Sequence, residues 1–527
     1  MGTAAKVRST DVFLHILLLL HLVTSMESGT PHRKRSGNGN GFRADLKSGW
    51  RKLFEHSSAS HKRFVLLVIL VGAALRISQL ALPLTYDEAV TCAVYATRSF
   101  GFIFSDYTSP ANHFLHTALV KCSVAVFGFH RWSLRLPALI AGLLVMPLFY
   151  VFVRVMFNRY IALMALSFVA ASGALISYSA LARGYSLTWL FMMCALLAGR
   201  HFAKRNNWVS ALMVAVFCAF GMWVVPSMVF VSITVYVWLA FYLVVNYEST
   251  LGKRFARLGA SFGLFLLLTT LVCAPVVSLH SIDHVLHHPA LGENTWVVFA
   301  STEQDRAFEL WDFFSSTATT WLSALGFVGL VYAAYISVKY RIMLFALVLG
   351  AVPLTFILRY VAPPDVWTYV LFNLHLSSAI GLFYAMKLIQ EKVYTGFAKR
   401  TRTLVACGLV LVGFGWLGMA RTKDLRPRFA EVATAVEWFG GVLKPGDRVY
   451  VEQPVDAPFA FELMSHGLDR SLSQTGPAQG GKVYVLVAPA NAQTLKSVLG
   501  SNNADSFDQK TLVKLKDWTR LEIFAAP

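Results

Sequence analysis

The amino-acid sequence predicts an all-α polytopic membrane protein of about eleven transmembrane helices, with a small α/β soluble domain at its C-terminal end. Of the 527 residues, 56% are hydrophobic and only 14% are charged, whereas soluble domains carry about 25% charged residues. Apolar runs of about 20 residues, long enough to cross a bilayer as helices, recur between residues 64 and 419. Beyond residue 421 the composition changes to that of a soluble domain.

The formal net charge of +19 arises mainly from short basic loops between the apolar runs. In a soluble protein this excess would indicate nucleic-acid binding. Here it indicates topology, because Lys and Arg collect in cytoplasmic loops, and no nucleic-acid partner is expected. The six cysteines form no Cys-x-x-Cys pair and lie mostly inside apolar runs, so we expect buried thiols rather than disulfides or metal ligands.

Residues 1–62 are expected to form a cytoplasmic tail. The short apolar run Val12–Val23 follows basic residues and resembles a signal peptide. Cleavage would leave the following basic segments outside, against the positive-inside rule, so an in-plane anchor or a later start codon fits better. Apolar residues within 46–54 share one helical face beside basic ones, which predicts an interfacial helix, with a disordered tail as the alternative.

Residues 63–420 are expected to form the transmembrane domain, with extracytoplasmic loops at 83–133 and 280–317. The predicted spans are Phe64–Leu82, Leu136–Val153, Ile161–Leu181, Ser186–Ala203, Val209–Val225, Val229–Val245, Leu258–Leu279, Trp321–Val338, Ile342–Tyr360, Trp367–Met386 and Thr403–Met419.

A twelfth apolar segment, Phe114–Phe129, is long enough to cross. If it crossed, the later basic loops would fall on the opposite side from the basic N-terminus, so the positive-inside rule selects eleven crossings. The segment also carries a polar stripe of His113, His116, Thr117 and Lys121 at helical spacing. We therefore expect a helix lying in the outer interface with this stripe towards water; a spanning helix with a polar seam is the alternative.

The expected extracytoplasmic domain, residues 421–527, begins with a helical apolar stripe over residues 429–443 and continues with a Lys-Pro-Gly-Asp turn. Short strands are predicted at Val449–Val451 and Val483–Val487. Helices are predicted at Ala457–Ser465 and Ala492–Leu499. No catalytic motif is evident in this domain.

Residues that could take part in a chemical reaction begin just after the first span, between Leu84 and Gly142. Asp87 and Glu88 are adjacent carboxylates, and Arg135 and Arg183 stand where later spans begin. Moving a sugar from a polyprenyl phosphate to a hydroxyl needs few groups. The acceptor needs a base, which a carboxylate supplies. The departing phosphate needs a cation, for which Arg has suitable geometry.

Structural roles compete with this interpretation. Thr85 or Asp87 would cap a helix over Glu88–Arg98, with acids favoured in its first turn. The two arginines would snorkel from helix ends. Capping and chemistry are compatible, because one carboxylate can cap while the other reacts.

Four histidines between residues 280 and 288 raise the question of a metal site: His280, His284, His287 and His288. His284 and His288 would share a helical face, but clear third and fourth ligands are missing. A wet surface loop is the better interpretation, so no metal ligand is assigned and a divalent metal is only the alternative.

Several motifs in order resemble the GT-C superfamily of membrane glycosyltransferases, in the branch of protein O-mannosyltransferases and the lipid A aminoarabinose transferase. The motifs are Asp87–Glu88 after the first span, Asn-His-x-Leu-His at 112–116, Phe-Gly at 127–128, Leu-Arg-Leu-Pro-Ala at 134–138 and Ala-Arg-Gly-Tyr-Ser-Leu at 182–187. The resemblance is firm over residues 64–200, looser to residue 420, and limited to placement for the C-terminal domain.

The resemblance implies an inverting transfer from an isoprenoid-phosphate sugar, with Asp87 as the base that activates the acceptor and Arg183 near the donor phosphate. The predicted site is then catalytic Asp87 and Glu88, donor phosphate-binding Arg183, Tyr185 and Arg135, and substrate-binding Asn112, His113 and His116. The family often has His-Pro-Pro-Leu or Lys-Pro where this chain has residues 112–115. A late span of the family often has Arg near its start and Pro inside it; Thr368 and His375 stand near those places here, and Arg359 is the alternative phosphate contact.

The expected enzyme is a hexosyl- or pentosyltransferase of a cell envelope that lies in a bacterial inner (plasma) membrane and acts on a lipid, glycan or protein acceptor. A transporter or flippase of a lipid-linked sugar is the alternative, but the acids lie at the membrane edge and no half-to-half repeat is evident. A receptor or scaffold that uses the C-terminal domain is a third interpretation.

Overall fold

The computed structural model describes residues 57–246, 250–286, 288, 295–316, 320–392, 399–421, 429–473, 481–502 and 512–526. The predicted helices at Val12–Val23 and within 46–54 lie outside these residues. The helices are α1 Ala59–Ile77, α2 Tyr86–Val90, α3 Phe100–Ser105, α4 Phe114–Phe127, α5 Arg131–Met156, α6 Arg159–Ala171, α7 Gly173–Ser179, α8 Tyr185–Arg205, α9 Trp208–Val224, α10 Val229–Val245, α11 Leu251–Leu279, α12 Ile282–Leu286, α13 Trp296–Ser316, α14 Thr320–Ile336, α15 Val338–Leu358, α16 Val370–Lys392, α17 Lys399–Leu409, α18 Gly415–Arg421, α19 Ala430–Gly440, α20 Asp456–Ser465 and α21 Leu495–Ser501.

Irregular helical turns join some of these elements. A π-helical segment, Thr91–Ala96, extends α2, and a second one, Val410–Phe414, joins α17 to α18. Short 3₁₀ turns are Pro226–Met228, Pro364–Tyr369, Arg470–Ser473 and Pro489–Asn491.

The helices confirm a multi-pass membrane protein. Among the described residues, seven helices are long and apolar enough to cross a membrane, and the bent pair α6–α7 makes an eighth. The other three predicted spans are present as α1, α9 and α14. The helices α9 and α14 have 17 residues each, which is about 26 Å at 1.5 Å per residue, and α1 contains three basic residues.

Arg76, a buried residue near the end of α1, binds both sides of the 63° bend between α6 and α7. Because α6 ends at the bend, carbonyls of its last turn lack helical partners. The Arg76 guanidinium donates to the carbonyls of Val169 and Ala170 at 3.1 and 3.2 Å, and to the Ser179 hydroxyl of α7 at 3.2 Å. One side chain thus holds both halves of the broken span, which leads directly into the turn at residues 182–184.

The polar stripe of α4 does not face water, and the expectation that it would is wrong. His116 and Thr117 are fully buried, whereas Val126 and Phe127 at the other end are exposed. The helix packs against α5 and the π-helical segment after α2, so its polar side chains point into the protein. The stripe therefore belongs to the interior beside the Asp87–Glu88 loop.

The C-terminal domain contains a four-stranded sheet with the order β1-β2-β4-β3, where β1 is Arg448–Tyr450, β2 Val483–Val487, β3 Val513–Asp517 and β4 Glu522–Ala525. The first two strands are parallel, and α20 lies in the connection between them; the other pairings are antiparallel. All five residues of β2 are buried. The sequence predicted β1 and β2 but missed β3 and β4.

The C-terminal domain packs directly on the loop that carries the paired acids. The Phe429 N–H donates to the Leu84 carbonyl at 3.2 Å. Arg131 at the start of α5 forms an ion pair of 2.8 Å with Glu462 of α20. Phe461 of α20 is buried in the same apolar cluster as Leu84 and residues of α2. The domain therefore helps to fix the position of α2.

Candidate active site

The adjacent carboxylates Asp87 and Glu88 point in different directions. Thr85 is the N-cap of α2, and the Glu88 carboxylate accepts from the Thr85 N–H at 3.0 Å and from its hydroxyl at 3.2 Å. This reciprocal arrangement is a capping box. The Glu88 side chain is wholly buried, whereas that of Asp87 is 35% exposed. Of the two expected helix caps, Thr85 is the one observed, and Asp87 remains open to the surface.

Glu88 and Arg135 form a fully buried ion pair. Both side chains have no exposed surface, and two bonds of 2.7 and 2.9 Å join the guanidinium to the two carboxylate oxygens. Glu88 also accepts from the Ala182 N–H at 2.9 Å. The remaining Arg135 donors bind backbone carbonyls of the preceding loop, those of Gln79, Leu80, Leu82 and Pro83. The pair therefore joins three parts of the chain: the loop before α2, α5 and the turn before α8.

The electrostatics of this pair keep Glu88 ionised. Burial by itself raises the pKa of Glu88, but the Arg135 charge and the donors from Arg135, Thr85 and Ala182 outweigh burial and lower the pKa below its usual value. Glu88 and Arg135, which the sequence predicted to take part in catalysis and in phosphate binding, are thus buried and paired in this structure. Neither side chain is exposed to a substrate, because each is occupied by the other and by the backbone.

Asp87 instead faces Arg183, the arginine of the Ala-Arg-Gly-Tyr turn. The Asp87 carboxylate lies 3.3 Å from an Arg183 guanidinium nitrogen. Arg183 also donates to the Tyr185 hydroxyl at 3.3 Å. Tyr185 in turn donates to Asp365 at 3.3 Å, and the Tyr178 hydroxyl donates to the other Asp365 oxygen. A continuous polar network thus runs from Asp87 through Arg183 to the turn before α16.

Asn112 and His113, the two residues before α4, form hydrogen bonds with nearby backbone groups. His113 accepts at Nδ1 from the Gly184 N–H at 2.7 Å, and its ring packs edge-on against Tyr185 with centroids 5.0 Å apart. Asn112 donates to the carbonyls of Ile103 and Asp106 at 2.9 and 2.8 Å. Both residues are buried, so they shape the backbone in this structure rather than face a substrate.

His116 is the third residue that the sequence predicted to bind substrate. Its ring is fully buried, and neither ring nitrogen has a hydrogen-bond partner within the described chain. The structure thus brings Arg183 and Tyr185 together with Asp87, and places Asn112, His113 and His116 behind the turn that carries them.

Asp365 and Tyr178 are members of the network that the sequence did not single out as site residues. The available signal was an acid in a Pro-Pro-Asp turn at the edge of a span, since ionisable residues at such positions usually have a function. Thr368, one of the late-span candidates, is instead buried and accepts from the Trp189 indole N–H at 3.1 Å. Arg359 lies over the ring of Trp296, with 5.2 Å to the centroid.

The histidine-rich segment contacts the loop before α4. His284 and His288 each lie 2.9 Å from the Tyr107 carbonyl through Nε2, and His280 accepts from the Tyr107 N–H at 3.2 Å. His287 lies outside the described residues. The described His, Cys, Asp and Glu side chains include no group of three with the geometry for a metal ion.

Comparison with known proteins identifies the fold. The family model of dolichyl-phosphate-mannose-protein mannosyltransferases matches residues 111–273. The chain is similar to the crystal structures of ArnT from Cupriavidus metallidurans, one in the apo state and one bound to undecaprenyl phosphate, each with TM-score 0.57, 13% identity and coverage of 89% of this chain and 98% of that one. The archaeal oligosaccharyltransferase AglB from Archaeoglobus fulgidus aligns with TM-score 0.47 and 13% identity, over 75% of this chain and 59% of that one. None of the curated proteins matches the sequence.

The family model and the ArnT structures confirm the resemblance that the motifs indicated. The family model covers α4, the Ala-Arg-Gly-Tyr turn and the spans that follow it as far as residue 273. The ArnT structures extend the likeness of the fold to 89% of the chain.

Proposed function

We propose that this chain, a membrane protein with the GT-C glycosyltransferase fold, is an inverting transferase that moves a sugar from a polyprenyl-phosphate donor to an acceptor hydroxyl. The observation that carries the proposal is the ion pair of 3.3 Å between the partly exposed Asp87 and the mostly buried Arg183. A base and a phosphate-binding cation thus lie side by side, and these are the two groups the reaction requires.

The ion pair has a direct consequence for the order of events. A donor phosphate that binds Arg183 competes with Asp87 for the guanidinium, which releases the carboxylate to accept a proton from the acceptor hydroxyl. The acceptor oxygen then forms a bond to the anomeric carbon from the face opposite the phosphate. The bond from that carbon to the phosphate oxygen breaks, and the polyprenyl phosphate leaves as an anion held by Arg183.

The buried residues set the geometry of these two groups. Glu88 binds the N–H of Ala182, the residue before Arg183, while it caps the helix that carries Asp87. His113 binds the N–H of Gly184, the residue after Arg183. Positioning of reacting groups to within a fraction of an ångström is a large part of enzymatic rate enhancement. We therefore assign Glu88, Arg135 and His113 to the positioning of the Asp87–Arg183 pair.

The proposed site lies on the extracytoplasmic side. The positive-inside rule places the basic loops after α5, α8, α10, α14 and α16 on the cytoplasmic side, which leaves the Asp87 loop and the C-terminal domain on the other. A lipid-linked donor is supported by the ArnT structure bound to undecaprenyl phosphate. The sugar is a hexose or a pentose, and the acceptor is a lipid, a glycan or a protein.

The test is sugar transfer from a panel of polyprenyl-phosphate sugars in membranes that contain the full-length chain. D87N is expected to lose at least about a hundredfold in turnover, the usual contribution of a general base, and to retain donor binding. D305N, which alters an exposed acid of α13, is the matched control and is expected to behave as wild type.

Undiminished transfer by D87N would exclude Asp87 as the base. The flippase alternative has its own outcome in proteoliposomes. Movement of the intact lipid-linked sugar across the bilayer, with no glycosidic bond formed in the presence of any acceptor, would replace the transferase proposal.

A further inference from the structure

A cavity of about 410 Å³ lies where the C-terminal domain meets the π-helical segment that follows α2. It is separate from the Asp87–Arg183 pair, since neither residue lines it. Its polar lining comes from both sides of the contact: Thr97, Arg98, Asp456, Arg470 and Ser473. The proposed transfer reaction uses none of these groups.

Two arginines give this cavity its charge. The Arg470 guanidinium donates to the Thr97 hydroxyl at 3.1 Å, and Arg98 is exposed at the rim. Burial and then the Arg98 charge lower the pKa of Arg470, so the two cations lie close enough to repel each other. No carboxylate of the described chain forms an ion pair with either guanidinium. Two neighbouring cations that form no ion pair within the described chain are suited to an external anion.

The start of α20 adds to the positive potential. This helix of 10 residues begins at Asp456, and the N–H groups and dipole at a helix N-terminus attract anions. Asp456 Oδ1 is buried and has no hydrogen-bond partner among the described residues. Burial raises the pKa of Asp456, because it disfavours the charged carboxylate.

Exposed apolar side chains lie at the cavity and on the helix next to it. Val94 lines it and is exposed, and Phe100 and Phe102 are exposed on the adjoining α3. Arg98 lies over the Phe102 ring at 5.8 Å from the centroid, and Lys121 lies over the Phe100 ring at 5.6 Å. Aromatic rings flanked by basic side chains are typical of the membrane–water interface, where phosphate head groups meet acyl chains.

We propose that this cavity is a second binding site that takes the phosphate head group of a membrane amphiphile, with Arg98 and Arg470 on the phosphate and the exposed phenylalanines against its apolar chains. The site stands independently of the transferase proposal, because its ligand is recognised by charge and amphiphilicity alone. It also adjoins the reaction centre, because α20, whose first residues line the cavity, packs against α2, the helix that carries Asp87.

The experiment measures binding of phosphatidic acid to the detergent-solubilised full-length protein by native mass spectrometry, with phosphatidylcholine and inorganic phosphate as separate arms. We expect wild type to bind phosphatidic acid at least about tenfold more tightly than R98Q/R470Q, because charge-assisted hydrogen bonds are lost. R98K/R470K keeps the charge but lacks the planar fork, and is expected to fall between them. K496Q/R520Q removes two exposed charges elsewhere in the C-terminal domain and is the matched control.

The single variant R98Q is a control for misfolding, because Arg98 is exposed and its side chain donates no hydrogen bond in the described structure. We expect its affinity for phosphatidic acid to fall about threefold or more. The loss caused by R98Q/R470Q is expected to be the same in the D87N background as in wild type, which separates this site from the transferase proposal. Equal binding by wild type and R98Q/R470Q would overturn the site. Binding of inorganic phosphate as tight as that of phosphatidic acid would overturn the amphiphile as its ligand.

Discussion

The buried ion pair between Glu88 and Arg135 allows the two adjacent acids to be separated by experiment. Replacement of Glu88 by Gln keeps the size of the side chain but leaves the Arg135 charge buried without compensation. Loss of one partner of a buried pair costs about 3–5 kcal/mol. R135Q leaves Glu88 uncompensated and also removes donors to four loop carbonyls, each worth about 0.5–1.5 kcal/mol.

The double variant E88Q/R135Q should lose much less free energy of unfolding than the sum of the losses in the two single variants. Once Arg135 is gone, the second substitution removes a buried charge that no longer has a partner. The expected coupling is therefore close to the cost of E88Q alone, about 3 kcal/mol. The assay is reversible unfolding of the purified protein in mixed micelles with increasing SDS, monitored by the near-UV signal of the tryptophans.

Two results would contradict an energetically coupled Glu88–Arg135 pair. Single effects that add to within about 0.5 kcal/mol would show that the pair is not coupled. A pH profile provides the second check. Because the folded-state pKa of Glu88 lies below its unfolded value, which is about 4.3, the contribution of Glu88 is present above that pH and is lost as the pH falls further. Wild type should therefore lose stability more steeply than E88Q below about pH 4.3, and parallel profiles would contradict the assignment.

Two further substitutions test the turn around Arg183. G184A would place a Cβ against Val224 and 2.7 Å from His113 Nδ1. We expect the free energy of unfolding to fall by about 1–3 kcal/mol and sugar transfer to slow, as measured by unfolding and by turnover. A wild-type turnover would show that the close packing is not needed. D365N would weaken the acceptor of the Tyr185 hydroxyl; we expect kcat/KM for the donor to fall about tenfold with an unchanged melting temperature, in line with misplacement of Arg183. A wild-type kcat/KM for D365N would remove Asp365 from the network.

The membrane fold was accessible from the sequence because its signal is long and repetitive. Eleven apolar runs correspond to helices at the expected positions, since a bilayer demands about 20 apolar residues per crossing. The orientation of a short amphipathic helix is less determined. The polar stripe of α4 was expected to face water, but the interior behind the Arg183 turn is itself polar, and His113 there accepts the Gly184 N–H. Periodicity alone cannot distinguish a polar interior from solvent.

The site shows a similar division. The paired acids and the Ala-Arg-Gly-Tyr turn were visible as motifs. Which acid is buried and which stays partly exposed depends on contacts between residues distant in sequence. Arg135 meets Glu88 across 47 residues, and Asp365 meets Tyr185 across 180. Neither spacing has a local pattern. The strands β3 and β4 were missed for a related reason: β3 is exposed at the edge of the sheet and alternates charged with apolar residues in a run too short to stand out.

The most direct test of the Asp87–Arg183 reaction centre is a cryo-EM map of the chain in nanodiscs with bound polyprenyl phosphate. We predict phosphate density within hydrogen-bond distance of the Arg183 guanidinium, with the Asp87 carboxylate released from its contact of 3.3 Å and open to the extracytoplasmic side. Density for the phosphate at another basic cluster, with the Asp87–Arg183 contact unchanged, would contradict it.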